Sequence, residues 1–264
     1  MVCVNMVHMA IRTTDQSNVK TIDRTARILE TLKELDGARV SEVADELDLA
    51  NSTAHRYLSS LKKNEFITQE GDFYYVGLRF LELADSAQNR TEVYKLAKPK
   101  VEQLAQETGE RAEFIVEEHG YAVFVHRAIG ETAVRANSHQ GKRIPMHATS
   151  AGKVILAHSP ERKVEEIIEC RGLPELTSET ITTREELDEE LEEIREKGVG
   201  FAEEEYIQGL STVSVPVKGS SGAIQGSLGI SGPSGRMSGD NFKREIQNLL
   251  VGAANELEIN IAYP

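Results

Sequence analysis

Three helical patterns and one strand pattern, all within residues 19–77, constrain the fold more than any other feature of this sequence. Along residues 19–36, apolar side chains recur at steps of three and four, which predicts a helix with one buried face, and Gly37 is suited to end it. The predicted face consists of Ile22, Ala26, Leu29, Leu32 and Leu35. A shorter helix is predicted over residues 41–48, with its apolar side chains inward: Val43, Ala44 and Leu47.

A third helix and a hairpin complete this pattern. Asn51 is a favourable N-cap for a helix over residues 51–64. Its predicted buried stripe consists of Ala54, Leu58 and Leu61. Two β-rich runs within residues 66–77 flank turn-forming residues at 70–72, which predicts a hairpin. Because helix, short helix, turn, helix and hairpin is the order of a winged helix-turn-helix, we assign residues 19–80 to a DNA-binding domain of that kind.

The outer face of the third helix carries residues suited to DNA. Small hydroxyls and an arginine near a helix N-terminus fit a major groove, and the hairpin would lie along neighbouring phosphates. The predicted DNA-binding residues are Ser52, Thr53, His55, Arg56, Ser59, Ser60 and Lys63. The alternative is a small helical domain that binds another protein.

The rest of the chain mixes helices and strands. Residues 78–98 form one long helical pattern, so 81–98 is predicted to be a connecting helix that ends at Pro99, where a new helix would run to Gly109. Beyond it, strands are predicted at 113–118, 121–128, 132–137, 199–204, 212–217 and 223–232. Helices are predicted at 148–157, 161–170, 183–197 and 238–260. This order indicates an α+β sensor fold, and we assign residues 99–262 to it.

The formal net charge of −13 is unusual for a protein that binds DNA. Residues 20–80 hold nine basic and eleven acidic side chains, so most of the acid lies outside the predicted DNA-binding domain. Runs such as 185–193 are typical of solvated helix faces. An excess of surface carboxylates fits a protein from a high-salt cytoplasm, and the alternative is an ordinary acidic protein.

The first residues, the cysteines and the hydropathy predict a cytoplasmic protein. No apolar run approaches the roughly 18 residues that span a bilayer, so no membrane contact is expected. The first residues are too polar for a secretory leader, and Met1, Met6 or Met9 could each be the start. The two cysteines, Cys3 and Cys170, indicate neither a disulfide scaffold nor a cysteine metal site.

The segment 145–153 could hold a small molecule. It lacks the glycine and hydroxyl positions of a phosphate-binding P-loop. Ser150 and Lys153 match a serine–lysine catalytic pattern, but the companion motifs are absent. The N-terminus of a helix over 148–157 would present free backbone N–H groups to an anion. The alternative is that Thr149 and Ser150 only cap the helix.

Two further patterns carry little functional information. The glycine-rich run at 226–232 lies within a strand pattern and opens no helix, which disfavours a dinucleotide loop. His119 and His126 lie on adjacent strand patterns, but no carboxylate or cysteine at ligand spacing joins them. We therefore assign no metal and no cofactor.

Motifs in both halves resemble the IclR family of transcription regulators over about residues 19–260. In the first half they are 19–32, STAHRYLSSL (52–61) and 74–84; in the second they are PMHATSAGK (145–153), 200–217 and GSLGISGP (226–233). The resemblance implies a GAF-like effector domain, dimers formed through the N-terminal part, often tetramers, and control of carbon-source metabolism. Many relatives carry cysteine where Thr212 stands, at a position thought to face the effector. The predicted effector-binding residues are Met146, His147, Ala148, Thr149, Ser150, Thr212 and Ser214.

We therefore predict a regulator that binds an operator in double-stranded DNA and responds to a small, anionic effector. It would act as a homodimer or tetramer and control a catabolic operon for a sugar or organic acid. Two other functions were weighed. An enzyme using residues 145–153 would need a general base beside Ser150, and the sequence offers only Lys153. A signalling module without DNA binding would leave the polar outer face of residues 51–64 unexplained.

Overall fold

The computed structural model describes residues 19–134 and 139–263, without the side chains of 240–243. The described residues up to Ser86 form one compact unit, and those from Ala87 onward form a second. The possible start sites lie outside the described residues.

The first unit has the predicted winged helix-turn-helix order. It consists of α1 (Lys20–Glu34), α2 (Val40–Glu46), α3 (Asn51–Lys63), β1 (Ile67–Glu70) and β2 (Phe73–Val76). The two strands form an antiparallel hairpin in which Ile67 pairs with Val76, and Ala38 forms a bridge with Tyr74 of β2. The core contains the predicted stripe of α3, together with Ile28, Leu32, Val43, Ile67 and Tyr74.

Two details of the predicted helices are wrong. In α1, Ile22 and Leu35 are 65% and 47% exposed, whereas Ile28, Thr31 and Leu32 are buried. Helix α1 packs on β2 and α2 through the side that carries Ile28 and Leu32. Ile22 lies off this side, and Leu35 follows the last turn of the helix. The N-cap of α3 is Ala50 rather than Asn51, because Ala50 is extended while its carbonyl accepts the first helical hydrogen bonds.

The predicted break at Pro99 is also wrong. The helical pattern divides earlier, into α4 (Arg79–Gln88) and α5 (Glu92–Thr108), and Pro99 lies inside α5. Thr91 begins α5, where its side chain accepts a hydrogen bond from the Tyr94 amide at 3.4 Å. The carbonyl that loses its helical donor through Pro99 belongs to Lys95, an exposed residue, so water can satisfy it.

The second unit is built on a six-stranded sheet. Its strands are β3 (Arg111–Glu118), β4 (Tyr121–Ile129), β5 (Arg143–Pro145), β6 (Gly200–Glu203), β7 (Leu210–Lys218) and β8 (Ile224–Pro233). Their order in the sheet is β5-β4-β3-β8-β7-β6, and every neighbouring pair is antiparallel. Strand β5 was not predicted. Of the strand predicted at 132–137, residues 132–134 are not extended into a strand, and 135–137 lie outside the described residues.

Helices cover both faces of this sheet. Besides α5, the second unit contains a 3-10 turn (Met146–Ala148), α6 (Ser150–Ala157), α7 (Glu161–Arg171), α8 (Arg184–Lys197), α9 (Ser234–Met237) and α10 (Asp240–Ala262). Helices α5 and α10 pack on one face, and α6, α7 and α8 belong to the core on the other. Because side chains alternate along a strand, Phe114 of β3 enters the first core, whereas its neighbours Glu113 and Ile115 face α6.

Candidate functional site

Helix α3 presents a polar face opposite its buried stripe. Ala54, Leu58 and Leu61 are at most 5% exposed. At 3.6 residues per turn, the residues opposite them are Ser52, Arg56, Ser59 and Lys63. Six of the seven predicted DNA-binding residues are exposed, and Thr53 is half-buried. Thr53, Arg56 and Ser60 line a groove that α3 forms with Arg24 and its neighbours in α1.

Some of the cations around α3 already form hydrogen bonds within the protein, and others do not. Lys62 donates to Gln69 Oε1 of the hairpin at 2.8 Å, and Arg79 donates to the Asn64 carbonyl at 2.7 Å. Among the described residues, neither Arg56 nor Lys63 forms an ion pair. Arg56 and Lys63 are therefore the cations of α3 that can meet a phosphate or a base without first breaking another contact.

A small cavity with an open interior of about 30 Å³ lies between the N-terminus of α6 and the sheet. Its polar lining consists of Arg111, Glu113, Thr149, Ser150, Thr212, Ser214 and Ser231. Its apolar lining consists of Ile115, Phe124, Ile144, Ala151, Tyr206, Ile207 and Leu210. Four of the seven predicted effector-binding residues thus line one cavity.

Hydroxyl groups from α6 and β7 meet in this cavity. Ser150 Oγ lies 2.7 Å from both Thr212 Oγ1 and Ser214 Oγ. Thr149 acts as the N-cap of α6, where its hydroxyl accepts from the Gly152 amide at 3.1 Å. Accepting this one hydrogen bond leaves the Thr149 hydroxyl with its own proton to donate, so it can contact a ligand at this helix end together with the Ser150 cluster.

Three predicted effector-binding residues lie beneath the cavity and do not line it. Met146 is buried in the core that includes α6, and Ala148 is fully buried. His147 Nε2 is 3.0 Å from the Pro174 carbonyl, and burial lowers the pKa of this histidine. The turn is packed so closely that a Cβ at Gly152 would lie 2.1 Å from the Met146 carbonyl oxygen. Direct effector contact by these three residues stays a prediction.

Arg111 and Glu113, at the sheet side of the cavity, were not among the predicted site residues. Both are buried, at 3% and 6% exposure, although each carries an ionisable group. The predicted strand began at Glu113, so the alternation of Arg111, Glu113 and Ile115 toward one face was not visible. A strand extended back to Gly109, the residue that ends α5, would have revealed it.

Lys153 takes part in a buried ion cluster. Its Nζ donates to Glu190 Oε1 of α8 and to Glu205 Oε1, each at 2.8 Å. Ser150 Oγ instead forms hydrogen bonds with Thr212 and Ser214, so within the described residues the serine–lysine pattern does not form a hydrogen-bonded pair. Burial raises the pKa of Glu205 against the opposing effect of Lys153. The cluster fixes the loop after β6, which carries Tyr206 and Ile207 into the cavity lining.

Other kinds of site are absent from the described part of the chain. It holds no cluster of three or more histidine, cysteine, aspartate or glutamate side chains arranged to bind a metal ion. Within the same residues, no helix is both long enough and apolar enough to cross a membrane.

A winged helix-turn-helix joined to a sheet domain with a polar cavity defines the class of two-domain, ligand-responsive DNA-binding regulators. Comparison with known families agrees. The model of the bacterial transcriptional regulator IclR C-terminal domain matches residues 86–258, and that of the IclR helix-turn-helix domain matches residues 21–71. The chain therefore belongs to the IclR family of transcriptional regulators.

Individual relatives cover nearly the whole chain. A probable HTH-type transcriptional regulator ArcR from Halobacterium salinarum is 28% identical over 92% of this chain and 94% of its own length. The HTH-type transcriptional regulator KdgR from Dickeya chrysanthemi is 29% identical over 97% of this chain and 85% of its own. The crystal structure of Thermotoga maritima IclR has a TM-score of 0.78 at 25% identity, covering 93% of this chain and 100% of the other.

Proposed function

We propose that this regulator reads its operator through the outer face of α3 and that a small effector in the cavity beside α6 modulates binding. The observation that carries this proposal is the face of α3, where Arg56 and Lys63 stand exposed opposite a fully buried stripe. An arginine at such a position can contact a guanine edge or a phosphate. We further propose that the protein acts in the cytoplasm, where its DNA target lies, and that it catalyses no reaction.

Operator binding tests the role of α3. Arg56→Ala should lower affinity for DNA from the region upstream of its own gene by about 1–3 kcal/mol, measured by fluorescence anisotropy. Lys95→Ala is a matched control, since it removes one exposed positive charge from α5, where Lys95 pairs with Glu92 at 3.4 Å. Equal losses in both variants would indicate a general charge effect, and unchanged affinity in Arg56→Ala would contradict the proposed face.

We also propose that two copies associate through the first unit. Apolar side chains remain exposed on α1, β2 and α4: Ile22, Leu35, Val76, Leu78, Leu81 and Leu83. A groove beside them is lined by Ala26, Leu29, Tyr75 and Phe80. A contiguous exposed apolar surface of this kind favours an interface, and most homo-oligomers are two-fold symmetric. A second copy is the favoured occupant because pairing doubles the few free cations that each α3 offers to a two-fold operator.

Sedimentation equilibrium tests this association. Leu81→Arg places a charge at a residue that is 67% exposed, and it should shift a dimer toward the monomer. Ile259→Arg, at a residue of α10 that is 60% exposed, serves as the control. A Leu81→Arg protein that stays dimeric would place the interface elsewhere.

We propose two refinements of domain organisation and role. Residues 92–98 pack into the core of the sheet domain through Val93, Tyr94 and Ala97, so α4 alone serves as the connecting helix. The regulated genes are a catabolic operon for a sugar or organic acid, which family membership and the polar, partly cationic cavity support. Deletion of this gene tests that role. Transcription of the neighbouring operon should rise if the protein is a repressor and fall if it is an activator, and unchanged transcription would contradict the proposal.

A further inference from the structure

The cavity beside α6 has almost no room for a ligand in this structure. Its open interior of about 30 Å³ is enough for roughly two water molecules, whereas pockets that hold small organic ligands commonly have about 300–1,000 Å³. Ser150, Ser214 and Ser231, which line it, are buried. A ligand can therefore enter only if part of the cavity wall moves.

The part of the wall that reaches solvent is a single stretch of the chain. Ten of the fourteen residues that line the cavity are buried. The other four, Tyr206, Ile207, Leu210 and Thr212, lie in the connection from β6 to β7 or at the start of β7. Within the described residues, this connection therefore separates the cavity from solvent.

Residues 204–209, which we call the lid segment, are anchored at both ends but belong to no strand. The Glu204 amide donates to the Leu210 carbonyl at 2.9 Å, and the Gly209 carbonyl accepts from the Ser234 amide at 2.9 Å. Glu204 has a φ of 62°, a left-handed conformation that is costly for a residue with a side chain. The lid segment can therefore change position without breaking the sheet, and contacts must hold it closed.

Three side chains outside the lid segment hold its first half against the rest of the domain. Thr177 Oγ1 donates to the Glu204 carbonyl at 2.7 Å, and Thr180 Oγ1 donates to the Glu205 carbonyl at 2.6 Å. Lys153 Nζ donates to Glu205 Oε1 at 2.8 Å. The second half of the lid segment is exposed from residue 207 to 209. The closed position thus depends on a small number of polar contacts around Glu205.

We propose that the lid segment gates the cavity, with Glu205 and the hydroxyls of Thr177 and Thr180 as its latch, so that a ligand enters only after the latch opens. Tyr206 and Ile207 would then leave the cavity together, because they lie between the two anchored ends. This inference rests on the proposed function, since the cavity is the one that we assign to the effector. Its test uses neither an effector nor an operator, so the two can fail separately.

Cysteine labelling of the full-length protein by iodoacetamide measures the opening. All variants carry Cys3→Ser and Cys170→Ser. The cavity reporter is Ser214→Cys, at a residue of β7 that lines the cavity and is 1% exposed. The matched reference is Val213→Cys, at the neighbouring residue, which is 2% exposed but faces the core beneath α5 and α10. Each rate is divided by the rate of the same variant in concentrated urea, which removes differences in thiol reactivity.

We expect Ser214→Cys to be labelled about tenfold faster than Val213→Cys or more, because it needs only local opening. Its rate should change little with urea well below the unfolding transition, since opening the lid segment exposes little surface. The reference should accelerate steeply with urea, because unfolding exposes the whole core. Ser231→Cys, at a buried residue of β8 that also lines the cavity, is a second reporter if Ser214→Cys does not fold.

Variants of the latch identify which part of the wall opens. Thr177→Val and Thr180→Val each remove one hydroxyl at nearly constant volume, and each should accelerate labelling of the cavity reporter about three- to tenfold, as one hydrogen bond is lost. Thr183→Val is the matched control, because the Thr183 hydroxyl caps α8 and accepts from the Glu186 amide at 3.3 Å. It should accelerate labelling of Val213→Cys but not of the cavity reporter.

Three results would overturn the proposal. One is equal labelling of the cavity reporter and the reference with the same dependence on urea, which would mean that only unfolding admits the reagent. Another is a cavity reporter whose rate is unchanged in both latch variants, which would place the entrance elsewhere. The third is equal acceleration of both reporters by Thr183→Val. The proposed function has its own readout in operator affinity, and absence of operator binding would refute the regulator while leaving the labelling result valid.

Discussion

Replacing Lys153 by methionine should destabilise the second unit far more than a surface lysine replacement does. The Lys153 side chain is 1% exposed, and its amine holds Glu205 and Glu190, which are 10% and 28% exposed. Methionine fills a similar volume but leaves both carboxylates without their cation. Removing one partner of a buried ion pair commonly costs about 3–5 kcal/mol, and we expect a loss in that range.

The loss should depend on pH in a defined direction. Without Lys153, burial would raise the pKa of Glu205 further, since the amine is what opposes the shift in the wild type. A carboxyl group with a raised folded pKa loses stability as pH rises from its ordinary value through the raised one. The deficit of Lys153→Met relative to the wild type should therefore grow from acidic to neutral pH.

Hydrogen exchange in increasing urea, read by mass spectrometry, can follow each unit within the full chain. Peptides from α6 and α8 report the second unit, and peptides from α1 and α3 serve as an internal reference. Lys197→Met, which removes an exposed lysine paired with Glu193 on α8, should change stability by less than about 1 kcal/mol. Equal small effects of Lys153→Met and Lys197→Met would refute the reasoning, as would an equal loss in both units.

Three further predictions concern the cavity, the operator and acid stability. Thr212→Trp should fill the cavity and abolish the thermal shift caused by any acid that stabilises the wild type; an unchanged shift would place the ligand elsewhere. If Arg56 and Lys63 of two subunits each neutralise one phosphate, four phosphates are neutralised. A plot of log affinity for the operator against log salt concentration should then have a slope of about −4 or shallower. A clearly steeper slope would show that further cations contact DNA, and it would argue against adaptation to high salt. Because burial lowers the pKa of His126, which lies 2.6 Å from the Tyr94 carbonyl, the second unit should lose stability as pH falls below about 6.5. His126→Gln should flatten that loss in urea titrations, and an identical pH profile would contradict it.

The prediction of buried residues from the sequence was most accurate where a helix has only one apolar side. The stripe of Ala54, Leu58 and Leu61 has a single apolar side, so it fixed which face of α3 is exposed. In α1 the apolar residues extend beyond the side that carries Ile28 and Leu32, and their spacing alone cannot show which of them are buried, so Ile22 was wrongly placed inside. Pro99 was wrongly taken as the end of a helix, because the packing of α5 on the sheet domain keeps the helix intact and water can reach the carbonyl that the proline leaves unpaired.

The candidate cavity was predictable only in part. The hydroxyls of Ser150, Thr212 and Ser214 were found through motifs, whereas Arg111 and Glu113 were missed because a charge at a strand end resembles a solvated residue. Only the pairing of β3 between β4 and β8 buries them. That pairing joins residues more than a hundred positions apart, such as Glu113 and Ser231, and local periodicity contains no information about it.

The alternation of β3, β7 and β8 bears on how such a protein can change its ligand during evolution. Along these strands one set of side chains, including Phe114, Val213 and Leu228, fills the hydrophobic core, while the interleaved set, including Glu113, Thr212 and Ser231, lines the cavity. Substitutions in the interleaved set leave the packing beneath α5 and α10 intact. Proteins that descend from one ancestor can thus change the small molecule that they bind through a few substitutions at the cavity-lining positions of these strands. The hydrophobic core of the domain stays the same.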